Sequence, residues 1–116
     1  MRILVVDQEY LVAMEAERIL QERGAYETQI AMPWELAKAL KESDFDMILI
    51  DAMVVAAPEC QGLIRQSGLP VVLLSFRSHD LDGVPEWPGA PVVPKPFDDE
   101  QVLQAVRAFP FDPETF

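Results

Sequence analysis

The chain has 116 residues, enough for one domain with a single core and too few for two. Half of its residues are hydrophobic, which predicts a globular protein, and its apolar stretches are far shorter than the roughly 20 residues of a membrane span. A formal charge of −11 argues against direct DNA binding, because phosphates require a face rich in lysine and arginine. A single cysteine cannot form an internal disulfide, and this favours the cytoplasm.

Short apolar runs alternate with longer amphipathic segments, and this alternation is typical of βαβ units around a parallel sheet. The third and fourth runs are almost purely apolar, as expected of central strands covered by helices on both faces. Pro91 and Pro94 cannot donate ladder hydrogen bonds, so the fifth strand is expected at a sheet edge. The predicted strands are residues 3–6, 26–31, 46–50, 71–74 and 91–94.

Apolar residues at helical spacing predict helices between these strands. The first helix is expected to stop at Gly24, and the second to carry Pro33 in its first turn. A short third helix is predicted over residues 58–66. Two prolines and two glycines within residues 79–89 make a regular fourth helix improbable.

The last helix is predicted from two local signals. Asp98 and Gln101 have the spacing of a capping box, and apolar residues follow at helical intervals. We expect the folded domain to span residues 1–109. A C-terminal tail, residues 110–116, follows it and is expected either to lie against the domain or to fray.

Four of the strands end on residues that phosphoryl chemistry uses. They run in turn into Asp7, Asp51, Ser75 and Lys95. Because ligands of open α/β sheets gather at the carboxyl ends of the strands, we expect these side chains at one edge. Singly, each has a plainer interpretation, the aspartates as helix N-caps and Lys95 with Pro96 as a turn. Jointly, the four residues favour a functional site.

These strand ends resemble the receiver domain of bacterial two-component response regulators, over roughly residues 1–109. The resemblance implies a flavodoxin-like, doubly wound α/β fold with five parallel strands in the order 2-1-3-4-5. It also implies a cis peptide bond between Lys95 and Pro96. The segments that carry the resemblance are Ile3-Leu4-Val5-Val6-Asp7, Phe45-Asp46-Met47-Ile48-Leu49-Ile50-Asp51 and Lys95-Pro96-Phe97-Asp98.

The resemblance also implies a role for each strand-end residue. Asp51 would accept a phosphoryl group from a histidine kinase or a phosphotransfer protein. Asp7, Asp51 and the main-chain carbonyl of Met53 would hold Mg²⁺. Ser75 would contact the phosphoryl oxygens, and Lys95 would pair with them. Such a domain is not an enzyme, apart from Mg²⁺-assisted self-phosphorylation and self-dephosphorylation. It signals by binding a downstream protein, and no membrane is expected among its partners.

Four positions carry residues that differ from those usual in the family. Gln8 stands where the family has a second acidic Mg²⁺ ligand; its amide oxygen can still join the metal site but brings no charge, so metal binding is expected to be weak. Phe76 replaces a small residue and would restrict access of the phosphodonor. Val92 replaces the aromatic residue of the family's switch. Met53 cannot orient water, which predicts slow hydrolysis of the phosphorylated form.

Two functions therefore stay open. The first is a receiver phosphorylated on Asp51, and the second is a phosphorylation-independent pseudo-receiver that acts as a protein-binding module. A flavodoxin-like cofactor enzyme is set aside, because Asp7-Gln8-Glu9 offers carboxylates where a phosphate loop is needed. We expect the chain either to act alone or to be part of a longer protein such as a hybrid kinase.

Overall fold

The structure, a computed structural model, describes residues 1–108. Five strands form one sheet in the order β2-β1-β3-β4-β5, and every neighbouring pair is parallel. This order confirms the expected flavodoxin-like fold, and it places β5 at an edge as its prolines predict. The strands are β1 (Arg2–Val6), β2 (Glu27–Ala31), β3 (Met47–Asp51), β4 (Val71–Ser75) and β5 (Val92–Pro94).

Helices cover both faces of the sheet. The helices are α1 (Tyr10–Glu22), α2 (Leu36–Glu42), α3 (Ala52–Val55), α4 (Pro58–Ser67) and α5 (Asp99–Arg107). Apolar residues of α1 and α5 pack on one face, and those of α2, α3 and α4 pack on the other. Strands β3 and β4 are consequently buried along their whole length, as their apolar sequences predict. Within residues 1–108, no helix has both the length and the apolar character needed to cross a bilayer.

The first helix ends shortly before Gly24, as predicted, but not through a left-handed glycine. It stops at Glu22 with Arg23 as its cap, and the left-handed backbone falls on Ala25, with φ of 57°, instead of Gly24. Gly24 has another role, because a Cβ atom there would lie 2.6 Å from the Tyr26 ring. The glycine therefore allows close approach of the tyrosine and does not itself terminate the helix.

The β4–β5 loop, residues 76–91, contains no α-helix, as its prolines and glycines predict. One 3₁₀ turn, Ser78–Asp80, follows β4. Further along, Arg65 of α4 lies over the Trp87 ring at 4.5 Å and donates to the Glu86 carbonyl at 2.7 Å. The loop is thus fixed to the body of the domain without a helix of its own.

Helix α5 begins as its capping box predicts. The Asp98 carboxylate accepts from the Gln101 amide at 2.8 Å, and the Gln101 side chain accepts from the Asp98 amide at 2.9 Å. The apolar positions of the helix are buried against the sheet. Phe109 and the predicted tail, residues 110–116, lie outside the described residues.

Candidate functional site

The carboxyl ends of β1 and β3 bring two aspartates together. Val6 pairs with Ile50, so the next residues, Asp7 just beyond β1 and Asp51 at the end of β3, lie at the same level. Both are buried, at 0% and 1% exposure. The Lys95 ammonium donates to Asp7 Oδ2 at 3.0 Å and to Asp51 Oδ2 through a shorter contact. Three of the four predicted side chains therefore form one cluster, the carboxylate pocket (Asp7, Asp51 and Lys95).

Backbone amides hold the other oxygen of each carboxylate. Asp51 Oδ1 accepts from the amides of Met53 at 2.6 Å and Val54 at 3.4 Å. Asp51 therefore also caps α3, so its interpretation as a helix cap is correct without excluding a site. Asp7 Oδ1 accepts from the Glu9 amide at 2.8 Å, while the N-cap position of α1 belongs to Glu9. Each aspartate is consequently hydrogen-bonded through both of its carboxylate oxygens.

The charge of Lys95 is maintained by its two partners. Burial opposes the charged form, but the hydrogen bonds and negative charges of Asp51 and Asp7 outweigh it and raise the pKa of Lys95 above its ordinary value. The Lys95–Pro96 peptide bond is cis, as the resemblance implies. The ammonium thus stays protonated between the two carboxylates and compensates part of their charge.

Ser75 ends β4 at the same edge but belongs to a second cluster. Its hydroxyl donates to Asp80 Oδ2 at 2.7 Å and accepts from the Arg77 amide at 3.0 Å. Asp80 is 4% exposed and also accepts from Arg77 Nε at 2.8 Å. The hydrogen bond from Ser75 is the largest of the effects that lower the pKa of Asp80. Arg77 lowers the pKa further, whereas burial opposes both effects. We name these three residues the Ser75 latch.

The sequence reasoning identified Ser75 and missed its partners. Arg77 and Asp80 are spaced as an i, i+3 ion pair, and that spacing was the available signal in a segment otherwise notable for prolines. His79 between them is exposed, with 75% of its side chain accessible. The position of the loop and the burial of Asp80 both depend on tertiary packing, which this local spacing does not reveal.

Three of the four departing residues, Gln8, Met53 and Phe76, lie beside the carboxylate pocket. Gln8 is exposed beside Asp7, and Met53 is 45% exposed. Phe76 is 62% exposed, and its ring centroid lies 5.7 Å from the Lys95 ammonium, within cation–π range. An aromatic ring therefore stands next to the cation of the pocket.

The oxygen donors of the pocket are of the kind that Mg²⁺ prefers, but together they carry little negative charge. Within residues 1–108, no cluster of three or more His, Cys, Asp or Glu side chains is placed to hold a metal ion. Mg²⁺ in proteins usually relies on one or two carboxylates and completes its shell with water. Asp7 and Asp51 meet that minimum, and the Met53 carbonyl and the Gln8 amide are neutral donors next to them in the chain. Lys95 reduces the negative charge further, so the donor set predicts weak binding.

Solved receiver domains share this fold. The chemotaxis response regulator CheY4 of Vibrio cholerae matches with a TM-score of 0.68 and 26% identity, over 91% of this chain and 95% of that one. The receiver domain of the hybrid histidine kinase CckA matches with a TM-score of 0.70 and 25% identity, over 92% and 96%. The chain is a response regulator receiver domain, the class of domain that serves two-component signalling.

The curated relatives are longer regulators. The transcriptional regulatory protein CpxR of Klebsiella pneumoniae subsp. pneumoniae is 30% identical over 115 residues, which cover 92% of this chain and 48% of that protein. CpxR of Escherichia coli K12 is 29% identical with the same coverage. The chain therefore spans about half the length of the curated relatives it matches. No protein-family model matches the chain.

Proposed function

We propose that Asp51 is the phosphoacceptor of a two-component phosphorelay and that the domain signals through protein–protein contacts. The observation that supports this most strongly is the state of the Asp51 carboxylate. It is buried, one oxygen is held by backbone amides, and the other contacts Lys95. A carboxylate held in this way is oriented for attack, and a cation stands ready for the charge of the incoming group.

The transfer makes one bond and breaks one. An Asp51 carboxylate oxygen bonds to the phosphorus of a phosphohistidine, and the breaking P–N bond returns its electron pair to the imidazole. Lys95 neutralises charge on the transferred oxygens, and Asp7 keeps the ammonium in place. Mg²⁺, when held by Asp7, Asp51 and the Met53 carbonyl, supplies further charge neutralisation at the phosphoryl oxygens.

The phosphorylated form is expected to be long-lived. Met53 offers no hydrogen-bonding side chain that could orient water beside Asp51. Ser75 would contact the phosphoryl oxygens once its hydroxyl leaves Asp80. Catalysis by the domain is then limited to assisting its own phosphorylation and dephosphorylation.

We propose a histidine kinase or a phosphotransfer protein as the donor and a further protein as the downstream partner. The charge of −11 disfavours direct contact with DNA, and the lone cysteine favours a cytoplasmic location.

A phosphorylation-independent pseudo-receiver is the second candidate. Three observations favour it: the neutral Gln8 beside Asp7, the engagement of the Ser75 hydroxyl by Asp80, and Val92 at the switch position. In that function the fold would serve as a protein-binding module, and Lys95 would stabilise the two buried aspartates without any transfer step.

Intact-protein mass spectrometry separates the two candidates. The protein is incubated with Mg²⁺ and acetyl phosphate, and we expect the added mass of one phosphoryl group. Asp51→Ala should abolish the adduct. Asp44→Ala is the matched control, because Asp44 is an exposed aspartate that precedes β3 at the opposite end of the strand, and it should leave the adduct unchanged. Absence of the adduct in the unmodified chain would leave the pseudo-receiver.

A further inference from the structure

The Ser75 hydroxyl has both of its hydrogen-bonding roles filled by residues of the β4–β5 loop. It donates to Asp80 at 2.7 Å and accepts from the Arg77 amide at 3.0 Å. Ser75 and Asp80 are 3% and 4% exposed, so water has little access to either group. A hydroxyl has one hydrogen to donate. Ser75 therefore cannot donate to a phosphoryl group on Asp51 while it donates to Asp80.

Asp80 stays paired when Ser75 leaves it. Its Oδ2 lies 2.8 Å from Arg77 Nε and 2.8 Å from Arg77 Nη2. A buried carboxylate without a partner is strongly unfavourable, but the guanidinium prevents that situation. The hydroxyl thus has two satisfactory acceptors, Asp80 at rest and a phosphoryl oxygen after transfer, and neither arrangement leaves a buried charge unpaired.

We propose that Asp80 is a positioning residue of the phosphorylation pocket that holds the Ser75 hydroxyl away from the acceptor until a phosphoryl group on Asp51 displaces it. The inference rests on the proposed function, because it concerns the step that forms the phosphorylated state. The strength of the Ser75 latch then sets how much phosphodonor is needed. Weakening the latch favours the phosphorylated form, and strengthening it favours the resting form.

Asp80→Asn weakens the latch while preserving the shape of the side chain. A hydrogen bond to a charged acceptor commonly contributes between one and two powers of ten to an equilibrium, and a neutral amide oxygen contributes less. We expect the acetyl phosphate concentration that gives half-maximal phosphorylation to fall about tenfold. Asp80→Ala should lower it at least as much, and it serves as a second variant if one of the two folds poorly.

Arg77→Gln should act in the opposite direction. Without the guanidinium, the buried charge of Asp80 depends more strongly on the Ser75 hydroxyl, so the resting hydrogen bond becomes stronger. We expect the half-maximal donor concentration to rise severalfold. A loop that was merely loosened by substitution would respond to both changes in the same direction.

A Ser75→Ala background tests whether the effect passes through the hydroxyl. In that background, Asp80→Asn and Arg77→Gln should no longer change the half-maximal concentration. Asp82→Asn is the matched control, because Asp82 is an exposed aspartate of the same loop, and it should have no effect in either background. Intact mass spectrometry gives the phosphorylated fraction for every variant.

The outcomes distinguish the latch from the proposed function. If the unmodified chain forms the adduct and Asp80→Asn leaves the half-maximal concentration unchanged, the latch is overturned and Asp51 remains the acceptor. An effect of Asp80→Asn that persists without the Ser75 hydroxyl also overturns the latch. Absence of an adduct in every variant overturns both proposals. If the adduct forms after Asp80→Asn but not in the unmodified chain, the latch is supported, whereas the proposed function of the unmodified chain is overturned in favour of the pseudo-receiver.

Discussion

Replacing Lys95 by methionine removes a cation that contacts both buried carboxylates and keeps a side chain of similar length. At 3.0 Å and an effective dielectric constant of about 20, the attraction between the ammonium and Asp7 is roughly 5.5 kcal/mol before desolvation is subtracted. Removing one partner of a buried ion pair usually destabilises a protein by about 3–5 kcal/mol. We therefore expect the free energy of unfolding of Lys95→Met to fall by about 3–5 kcal/mol at pH 7.

The carboxylates that remain repel each other. Both accept from the same ammonium, so the two bonded oxygens lie within about 6 Å of each other. At the same dielectric constant, this separation corresponds to a repulsion of roughly 3 kcal/mol. Adding Asp7→Asn to Lys95→Met removes one of the charges. We expect the second substitution to restore about 2–3 kcal/mol of the lost stability.

Urea unfolding followed by circular dichroism, in the presence of a chelator, measures both changes. Lys38→Met is the matched control, because Lys38 and Glu42 are 3.9 Å apart with 76% and 60% of their side chains exposed. That substitution should change stability by less than about 0.5 kcal/mol. A loss below about 1 kcal/mol in Lys95→Met, or a further loss on adding Asp7→Asn, would refute the electrostatic reasoning.

Four further substitutions test other parts of the domain. Gln8→Asp adds a carboxylate beside Asp7, so the Mg²⁺ dissociation constant from calorimetric titration should fall at least about tenfold. Met53→Asn supplies a group that can orient water, and the half-life of the phosphorylated form should shorten. Asp98→Ala removes the α5 cap and should lower the free energy of unfolding by about 1 kcal/mol in a urea titration. In the folded state, the pKa of Asp80 lies below its ordinary value of 3.8. The charged carboxylate therefore stabilises the fold fully above about pH 4, and this stabilisation is lost as the pH falls through the folded-state pKa. The difference in unfolding free energy between the unmodified chain and Asp80→Asn should therefore shrink below about pH 4.

Each of these predictions has a contrary result. An unchanged Mg²⁺ affinity would place position 8 outside the ligand set, and an unchanged half-life would mean that position 53 does not govern hydrolysis. No loss of stability at position 98 would show that the cap is redundant. A difference that stays constant with pH would mean that the charge of Asp80 does not stabilise the fold.

The order of the secondary structure elements could be predicted because the signals are local. These signals depend only on neighbouring residues: apolar runs of strand length, the spacing of helical positions, and the lack of an N–H group at Pro91 and Pro94. Helix α3 (Ala52–Val55) could not be predicted in this way. It is a single turn, and it depends on the Asp51 side chain accepting from two amides, an interaction that the apolar pattern does not encode.

The carboxylate pocket was predictable for a related reason. Parallel pairing in a known strand order places the residue after β1 and the last residue of β3 at the same level, so Asp7 and Asp51 must meet there. The hydrogen bond between Ser75 and Asp80 was not predictable. It requires the β4–β5 loop to turn back onto the end of β4, and a loop without a regular helix has no periodic pattern from which that path could be inferred.

The role of Asp51 as phosphoacceptor is tested most directly by locating the phosphorylated residue. Borohydride reduces an acyl phosphate to an alcohol, so an aspartyl phosphate formed with acetyl phosphate and Mg²⁺ becomes homoserine, which tandem mass spectrometry can place in the chain. We predict homoserine at position 51, and none there in Asp51→Asn. Homoserine at another aspartate, or at no position, would contradict the proposed function.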